Sequence, residues 1–97
     1  MIPVRLLRPA EVEMLEAATY YDQQANGLGQ LFLSSLETAV NSISDNPNAW
    51  PTIRSNIRKR IVSKFPYSIL FRVDSNEIVI MAIMHQRRRP DYWLDRI

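Results

Sequence analysis

The sequence predicts an α+β fold, in which an N-terminal strand and an antiparallel helical hairpin pack on one face of a small, mainly antiparallel β-sheet. Two observations lead to this prediction. Residues 9–45 repeat apolar side chains at helical spacing with one short break, and beyond residue 51 the apolar period changes from 3.6 to 2. A length of 97 residues with 46% hydrophobic residues suits a single domain spanning residues 1–97.

The first strand and the first helix are predicted from the position of their prolines. Residues 2–7, IPVRLL, form a short apolar run with its proline near the start, where a strand tolerates one. Pro9 suits the first position of a helix. We expect three acids to complement the positive end of that helix dipole: Glu11, Glu13 and Glu16.

The second helix has the clearest pattern in the chain. NGLG at 26–29 ends the first helix, and the short connection predicts an antiparallel hairpin. The second helix runs to about Asp45, and its apolar residues fall on one face at steps of three and four: Leu28, Leu31, Phe32, Leu36, Ala39, Val40 and Ile43. We expect the stripe of Leu31, Phe32 and Leu36 to belong to the core.

Three strands are predicted after the breaker-rich loop NPNAWP at 46–51. They cover residues 56–62, 67–73 and 77–84, and the last two are joined closely enough for an antiparallel hairpin.

The last of these strands is apolar on both faces, which predicts a central position in the sheet. Strict alternation assigns its side chains to two sets, Ile78, Ile80, Ala82 and Met84 against Val79, Met81 and Ile83, and His85 continues the second set. The helical hairpin can cover only one face of so small a sheet. The other face, with Met81, is expected to be covered either by the last residues, Tyr92, Trp93 and Leu94, or by a separate molecule.

Composition excludes several kinds of site. There is no cysteine and a single histidine, His85, so that neither a disulfide framework nor the usual set of zinc ligands is available. We expect no cofactor and no metal. The chain also lacks an apolar run near the roughly 20 residues needed to cross a bilayer, and a cytoplasmic protein is expected.

Charge is distributed unevenly along the chain. Residues 1–53 hold two arginines against six acids, a net charge of −4, and residues 54–97 hold ten basic residues against four acids, a net charge of +6. A basic half favours a polyanionic partner, either nucleic acid or an acidic protein segment. Ordinary surface charge is the alternative.

The order of these elements, with YYDQQANGLGQLFLSSLETAV in the hairpin, FPYSILFRV in the strands and IMHQRRRPDYWLDR at the end, resembles the RelE/ParE superfamily of bacterial toxins. The last two pieces resemble the branch called plasmid stabilisation proteins. The resemblance implies the toxin of a type II toxin–antitoxin pair, neutralised by a cognate antitoxin. Members of this superfamily either cleave mRNA on the ribosome or act on DNA gyrase, and the fold does not decide between these activities.

A nuclease of the RelE kind is implied to use basic and tyrosine side chains on the sheet for acid–base catalysis. Laid on that pattern, Arg87 falls near an implied arginine, and Tyr92 or Trp93 falls near an implied C-terminal tyrosine. His85 is a further candidate, because some members of the superfamily use a histidine near this point. The catalytic candidates are therefore His85, Arg87 and Tyr92. The other positions depart from it, because Ser68 stands where an arginine is implied and Ile61 and Ser63 fall near two implied lysines. We therefore expect a ParE-like toxin acting on gyrase. A ribosome-dependent mRNA endoribonuclease and a non-toxic binding module are the alternatives.

Binding residues are predicted from the basic half. His85 is the one side chain that titrates near neutral pH, and it either acts in catalysis or packs its ring on Trp93. Guanidinium groups match phosphate oxygens, and positively charged residues also suit an acidic antitoxin segment. The predicted partner-binding or phosphate-binding residues are Arg58, Lys59, Arg60, Arg72, Arg87, Arg88, Arg89 and the apolar Met81.

Overall fold

The computed structural model describes residues 2–97 and confirms the α+β class. Seven principal elements follow in order: β1 (Val4–Leu6), α1 (Arg8–Gln24), α2 (Leu28–Asp45), β2 (Thr52–Arg54), β3 (Ile57–Ile61), β4 (Tyr67–Val73) and β5 (Ile78–His85). The strands form one sheet in the order β1-β5-β4-β3-β2, in which β1 is parallel to β5 and the other pairs are antiparallel. Strand β2 was not predicted, because its three residues are all exposed and carry no apolar alternation.

The helical hairpin depends on two glycines that perform different tasks. Gly27 adopts φ 84°, a left-handed conformation that glycine adopts without steric cost, and this residue directs the chain into α2. Gly29 lies against α1, where an added Cβ would come within 2.3 Å of the Ala18 carbonyl oxygen. The N–H of Gly29 donates a hydrogen bond to Asp22 Oδ1 at 2.8 Å. The two helices therefore approach closely at their connection.

The main core lies between the hairpin and one face of the sheet, hereafter the helix face. Its buried side chains include Phe32 and Leu36 from α2, Ile69 and Phe71 from β4, and Ile80 from β5. The prediction for Leu31 was wrong, because its side chain is 61% exposed. Leu31 lies at the edge of the apolar stripe, where its side chain faces solvent.

Strand β5 contains an irregularity that strict alternation could not predict. Leu70 pairs with Ala82 and Phe71 pairs with Ile80, so Met81 is an extra residue in β5. Met81 and Ala82 consequently both point away from the hairpin, and Ile83 packs in the main core. The predicted face of every β5 residue after Met81 is therefore reversed, and His85 belongs to the helix face.

The second face of the sheet is covered by the chain's own C-terminal segment, residues 86–97. Trp93 is 1% exposed and packs with Ile57, Leu70 and Val79 in a second apolar cluster. Met81 belongs to the same cluster and is 0% exposed. The expectation that Met81 lies on an open, partner-binding face is therefore wrong for this chain, and the alternative of cover by the last residues is confirmed.

Candidate functional site

The carboxylate of Glu13 joins helix α1, strand β5 and the C-terminal segment. Its Oε1 accepts hydrogen bonds from the Ile83 backbone N–H at 3.0 Å and from Arg96 Nη1 at 2.9 Å. Its Oε2 accepts from the Tyr92 hydroxyl at 2.5 Å and from Arg96 Nη2 at 3.0 Å. The Glu13 and Arg96 side chains are only 15% and 14% exposed. We call these three side chains, Glu13, Tyr92 and Arg96, the Glu13 cluster.

The Glu13 cluster replaces missing strand hydrogen bonds at one edge of β5. Strand β1 ends at Leu6, and the last backbone bond on this edge runs from the Leu7 N–H to the Ile80 carbonyl at 3.0 Å. Beyond that point Arg96 Nη1 donates to the Met81 carbonyl at 3.1 Å, and Glu13 accepts from the Ile83 N–H. Buried backbone polar groups require such partners, so the cluster stabilises the bulged part of β5.

Tyr92 has a structural role in this cluster. Burial, together with the hydrogen bond to Glu13, raises the pKa of the Tyr92 phenol above its ordinary value. The hydrogen bond to Glu13 likewise raises the pKa of the Arg96 guanidinium. The Tyr92 ring also contacts two guanidinium carbons, at 4.0 Å for Arg88 and 4.9 Å for Arg96. Its hydroxyl is thus committed to Glu13 and poorly suited to proton transfer near neutral pH.

His85 ends β5 on the helix face, in contact with Tyr67. The two ring centroids are 5.0 Å apart in an edge-on arrangement, and His85 Nδ1 accepts a hydrogen bond from the Arg87 backbone N–H at 3.0 Å. The packing of His85 on Trp93 that we considered is therefore wrong. Burial raises the pKa of the Tyr67 phenol. A shallow cleft here, the His85 cleft, is lined by Glu13, Glu16, Ala17, Tyr20, Tyr67, Ile83, His85 and Arg88.

The predicted basic residues of β3 and β4 do not form one surface. Arg58 and Arg60 lie beside Trp50 on the helix side: Arg58 Nη1 donates to the Trp50 carbonyl at 2.5 Å, and the Arg60 guanidinium carbon is 4.5 Å from the Trp50 ring centroid. Lys59 pairs with Leu70 in the sheet, and directly opposite residues share a face, so Lys59 lies on the side of the C-terminal segment.

Arg72 is also on the side of the C-terminal segment, where its Nε donates to Asp74 at 3.0 Å and its Nη1 contacts the Met81 sulfur at 3.2 Å. Arg87, Arg88 and Arg89 follow β5 in an exposed turn. The three nuclease candidates are consequently separated in role, because His85 packs on Tyr67, Arg87 is in solvent and Tyr92 is bound to Glu13.

An apolar groove with a basic rim lies along the exposed side of α2. We call it the α2 groove; its lining residues are Leu28, Leu31, Ser34, Ser35, Thr38, Arg60, Ser63, Lys64 and Phe65. The exposed Leu31 is part of its apolar wall, and Arg60 and Lys64 supply two cations. Lys64 has φ 73°, a left-handed conformation that is uncommon for a side-chain-bearing residue.

A second basic region, the arginine cleft, lies where the turn after β5 meets the beginning of α1. Its lining residues are Leu7, Arg8, Pro9, Arg88, Arg89, Tyr92, Asp95 and Arg96. No side chain caps the N-terminus of α1 at this point.

Sequence reasoning missed Glu13 and Arg96 as a pair. The expectation that Glu13 complements the helix dipole is wrong, because Glu13 lies beyond the first turn, in which Glu11 is the only acid. A usable signal existed, since Glu13 falls on the same helical stripe as the buried Ala10 and Ala17. A lone acid on an apolar face indicates a buried partner.

Two further observations concern the described part of the chain. Within residues 2–97, no three side chains of the His, Cys, Asp and Glu types come together as a metal site would need. Across these same residues, no helix combines the length and the hydropathy required to cross a membrane.

Comparison with known proteins places this architecture in a family. Residues 4–90 match the family described as "ParE toxin of type II toxin-antitoxin system, parDE". Among solved structures, a chain of the chromosomal ParDE toxin–antitoxin system from P. aeruginosa superposes with a TM-score of 0.77 at 19% sequence identity, covering 88% of this chain and 96% of that chain. No individually curated protein matches. The family match extends over nearly the whole domain, and the chain belongs to the ParE toxin family of type II toxin–antitoxin systems.

Proposed function

We propose that this ParE-family toxin acts on DNA gyrase by binding rather than by cleaving RNA, and that a cognate antitoxin of the ParD type neutralises it. The observation that supports a binding mechanism most strongly is the commitment of Tyr92 to Glu13. A phenol that is held by a carboxylate, with a raised pKa, contributes little as a general acid or base at neutral pH.

The separation of the remaining candidates supports the same proposal. Acid–base catalysis needs donor and acceptor groups within hydrogen-bond reach of one substrate position. His85 lies on the helix face, and Arg87 is exposed in the turn. Two of the predicted binding residues, Lys59 and Arg72, lie on the opposite face of the sheet. Such a distribution suits contacts with large partners better than a single reaction centre.

The α2 groove supports an antitoxin partner of defined chemistry. A segment with apolar and acidic side chains would bury its apolar residues on Leu31 and Phe65, and its acids would face Arg60 and Lys64. A segment that is disordered when free would become ordered on this groove. This site replaces the sheet face that we expected from the sequence, since that face is occupied by Trp93.

The proposal is tested in cells by expressing the protein with and without the antitoxin encoded beside it. Expression of the toxin alone is expected to stop growth and to induce the response to DNA breaks, and co-expression of the antitoxin is expected to restore growth. Growth arrest that persists in a strain whose gyrase no longer binds the toxin would contradict action on gyrase.

A ribosome-dependent nuclease is the second candidate, and the His85 cleft is the observation that favours it. His85, Tyr67 and Arg88 line that cleft together and could supply a base, an acid and a phosphate contact. Primer extension on translated mRNA would then reveal cuts that disappear in His85→Gln. The absence of cuts with the wild-type toxin, under conditions in which cells stop growing, would exclude this candidate.

A further inference from the structure

The three arginines after β5 are consecutive in an exposed turn, and none of them has an acidic partner. Among residues 2–97 the ion pairs involve Arg5, Arg8, Arg54, Arg72 and Arg96, and none involves Arg87, Arg88 or Arg89. The acid nearest to them in sequence, Asp91, instead lies 3.6 Å from Arg54. Adjacent like charges repel one another, so the turn presents a positive charge that an anion would neutralise.

Arg88 is held in position for such an anion. Its guanidinium carbon lies 4.0 Å from the centroid of the Tyr92 ring, and the Tyr92 hydroxyl is fixed by Glu13 at 2.5 Å. A guanidinium that stacks on an aromatic ring keeps its N–H groups free at its edge, where they match phosphate oxygens in pairs. Because the ring is fixed in advance, less conformational entropy is lost when a ligand binds.

The beginning of α1 adds favourable charge to the same place. Leu7, Arg8 and Pro9 form one wall of the arginine cleft, and no side chain caps the helix there. The helix dipole is positive at this end and adds to the attraction that the arginines exert on an anion. The Arg8 guanidinium in that wall is paired with Glu11, and Asp95 also lines the cleft, so Arg88 and Arg89 supply its unpaired positive charge.

We propose that the arginine cleft and its turn bind the phosphate backbone of duplex DNA. This inference rests on the proposed function, since DNA is what gyrase holds when the toxin reaches it. The exposed residues 86–91 include no large apolar side chain that could anchor a peptide, whereas the α2 groove does. Nor do they include an aromatic side chain, and the aromatic ring of the cleft, Tyr92, is already in contact with Arg88 and Arg96. The binding is therefore independent of DNA sequence and depends on salt.

The test measures binding of a fluorescent DNA duplex to the purified toxin between about 50 and about 200 mM salt. Arg88→Gln/Arg89→Gln removes two charges from the cleft, and Arg5→Gln/Lys59→Gln removes two charges outside both the cleft and the α2 groove as the matched control. Each phosphate contact contributes about 0.9 to the slope of log K against log salt, so the cleft variant is expected to flatten that slope by up to about 1.8. The control variant is expected to retain the wild-type slope. Unchanged thermal melting would show that both variants fold.

Three results would overturn the proposal: no salt-dependent DNA binding by the wild type, equal slopes for the two double variants, or tighter cleft-dependent binding of an RNA duplex of the same sequence. A fourth result would also overturn it, in an experiment with a peptide of the antitoxin's acidic segment as the probe. If the cleft variant loses affinity for that peptide but not for DNA, the turn binds the antitoxin and not DNA. The DNA measurement contains no gyrase, so its failure is distinguishable from failure of the proposed function.

Discussion

The Glu13 cluster makes a quantitative prediction about how the C-terminal segment is held on the sheet. Removing one partner of a buried, hydrogen-bonded ion pair costs about 3–5 kcal/mol, because the remaining charge is left without compensation. The side chains of Glu13 and Arg96 remain 15% and 14% exposed, so we expect Glu13→Ala to reduce the free energy of unfolding by about 3 kcal/mol, the lower end of that range. That loss is a large share of a free energy of unfolding of roughly 5–15 kcal/mol.

A double-mutant cycle separates the pair from other effects of the substitutions. Glu13→Gln preserves the shape of the side chain and a carbonyl acceptor, and Arg96→Met preserves much of the aliphatic chain. For residues in contact we expect a coupling free energy of about 1–3 kcal/mol, so that the double variant is more stable than the sum of the single losses implies.

Urea denaturation followed by tryptophan fluorescence is the assay, in a Trp50→Phe background where Trp93 is the remaining tryptophan. Trp93 reports directly on the C-terminal segment, since it belongs to that segment and is buried in the second apolar cluster. If the losses of unfolding free energy in the two single variants sum to the loss in the double variant within about 0.3–0.5 kcal/mol, Glu13 and Arg96 do not hold the segment as a pair.

Three further predictions follow from burial and from proton binding. Leu36→Asp is expected to unfold the domain, and Leu31→Asp is expected to leave the melting curve close to wild type while speeding release of the antitoxin, as stopped-flow binding would show. Trp93→Ala should reduce the free energy of unfolding by about 3–5 kcal/mol and increase binding of a dye specific for apolar surface; unchanged dye binding would contradict cover by this residue. Folding raises the pKa of Tyr92, so the stabilisation that its protonated hydroxyl provides is complete below about pH 10 and is lost as pH rises further. Tyr92→Phe should therefore lose less free energy of unfolding than the wild type between about pH 9 and 11, as urea melts would show.

Much of the fold could be predicted from the sequence because its elements have strong local signals. The period of α2 and the prolines near β1 and α1 gave the helical hairpin, and β4 was predicted at residues 67–73, where it lies. The central position of β5 followed from its apolar residues on both faces. These signals are local, in that each depends on neighbours within a few residues along the chain.

The features that could not be predicted depend on contacts between distant segments. The bulge at Met81 arises from pairing with β4, and it reverses the faces of Ile83 and His85 without any mark in the local alternation. The contact of Glu13 with Arg96 joins residues far apart in sequence. Leu31 has the right spacing for the core but lies at the margin of the stripe, and spacing alone does not fix the width of the buried face.

The sequence indicated which types of residue the candidate site contains, but not where their side chains lie. The basic character of the second half identified the arginines after β5 as possible anion ligands. Spacing did not reveal that Arg58 and Arg72 lie on opposite sides of the sheet, or that the Tyr92 hydroxyl is held by Glu13. Side-chain partners of this kind are decided by tertiary packing.

Purified components provide the sharpest test of the proposal that this toxin acts on gyrase by binding. Gyrase, supercoiled plasmid and ATP are incubated with the toxin, the reaction is stopped with detergent, and the DNA is treated with protease. The proposal predicts gyrase-dependent double-strand breaks that His85→Gln does not reduce and that the antitoxin prevents. Intact plasmid at saturating toxin, together with cleavage of translated mRNA that His85→Gln abolishes, would contradict it.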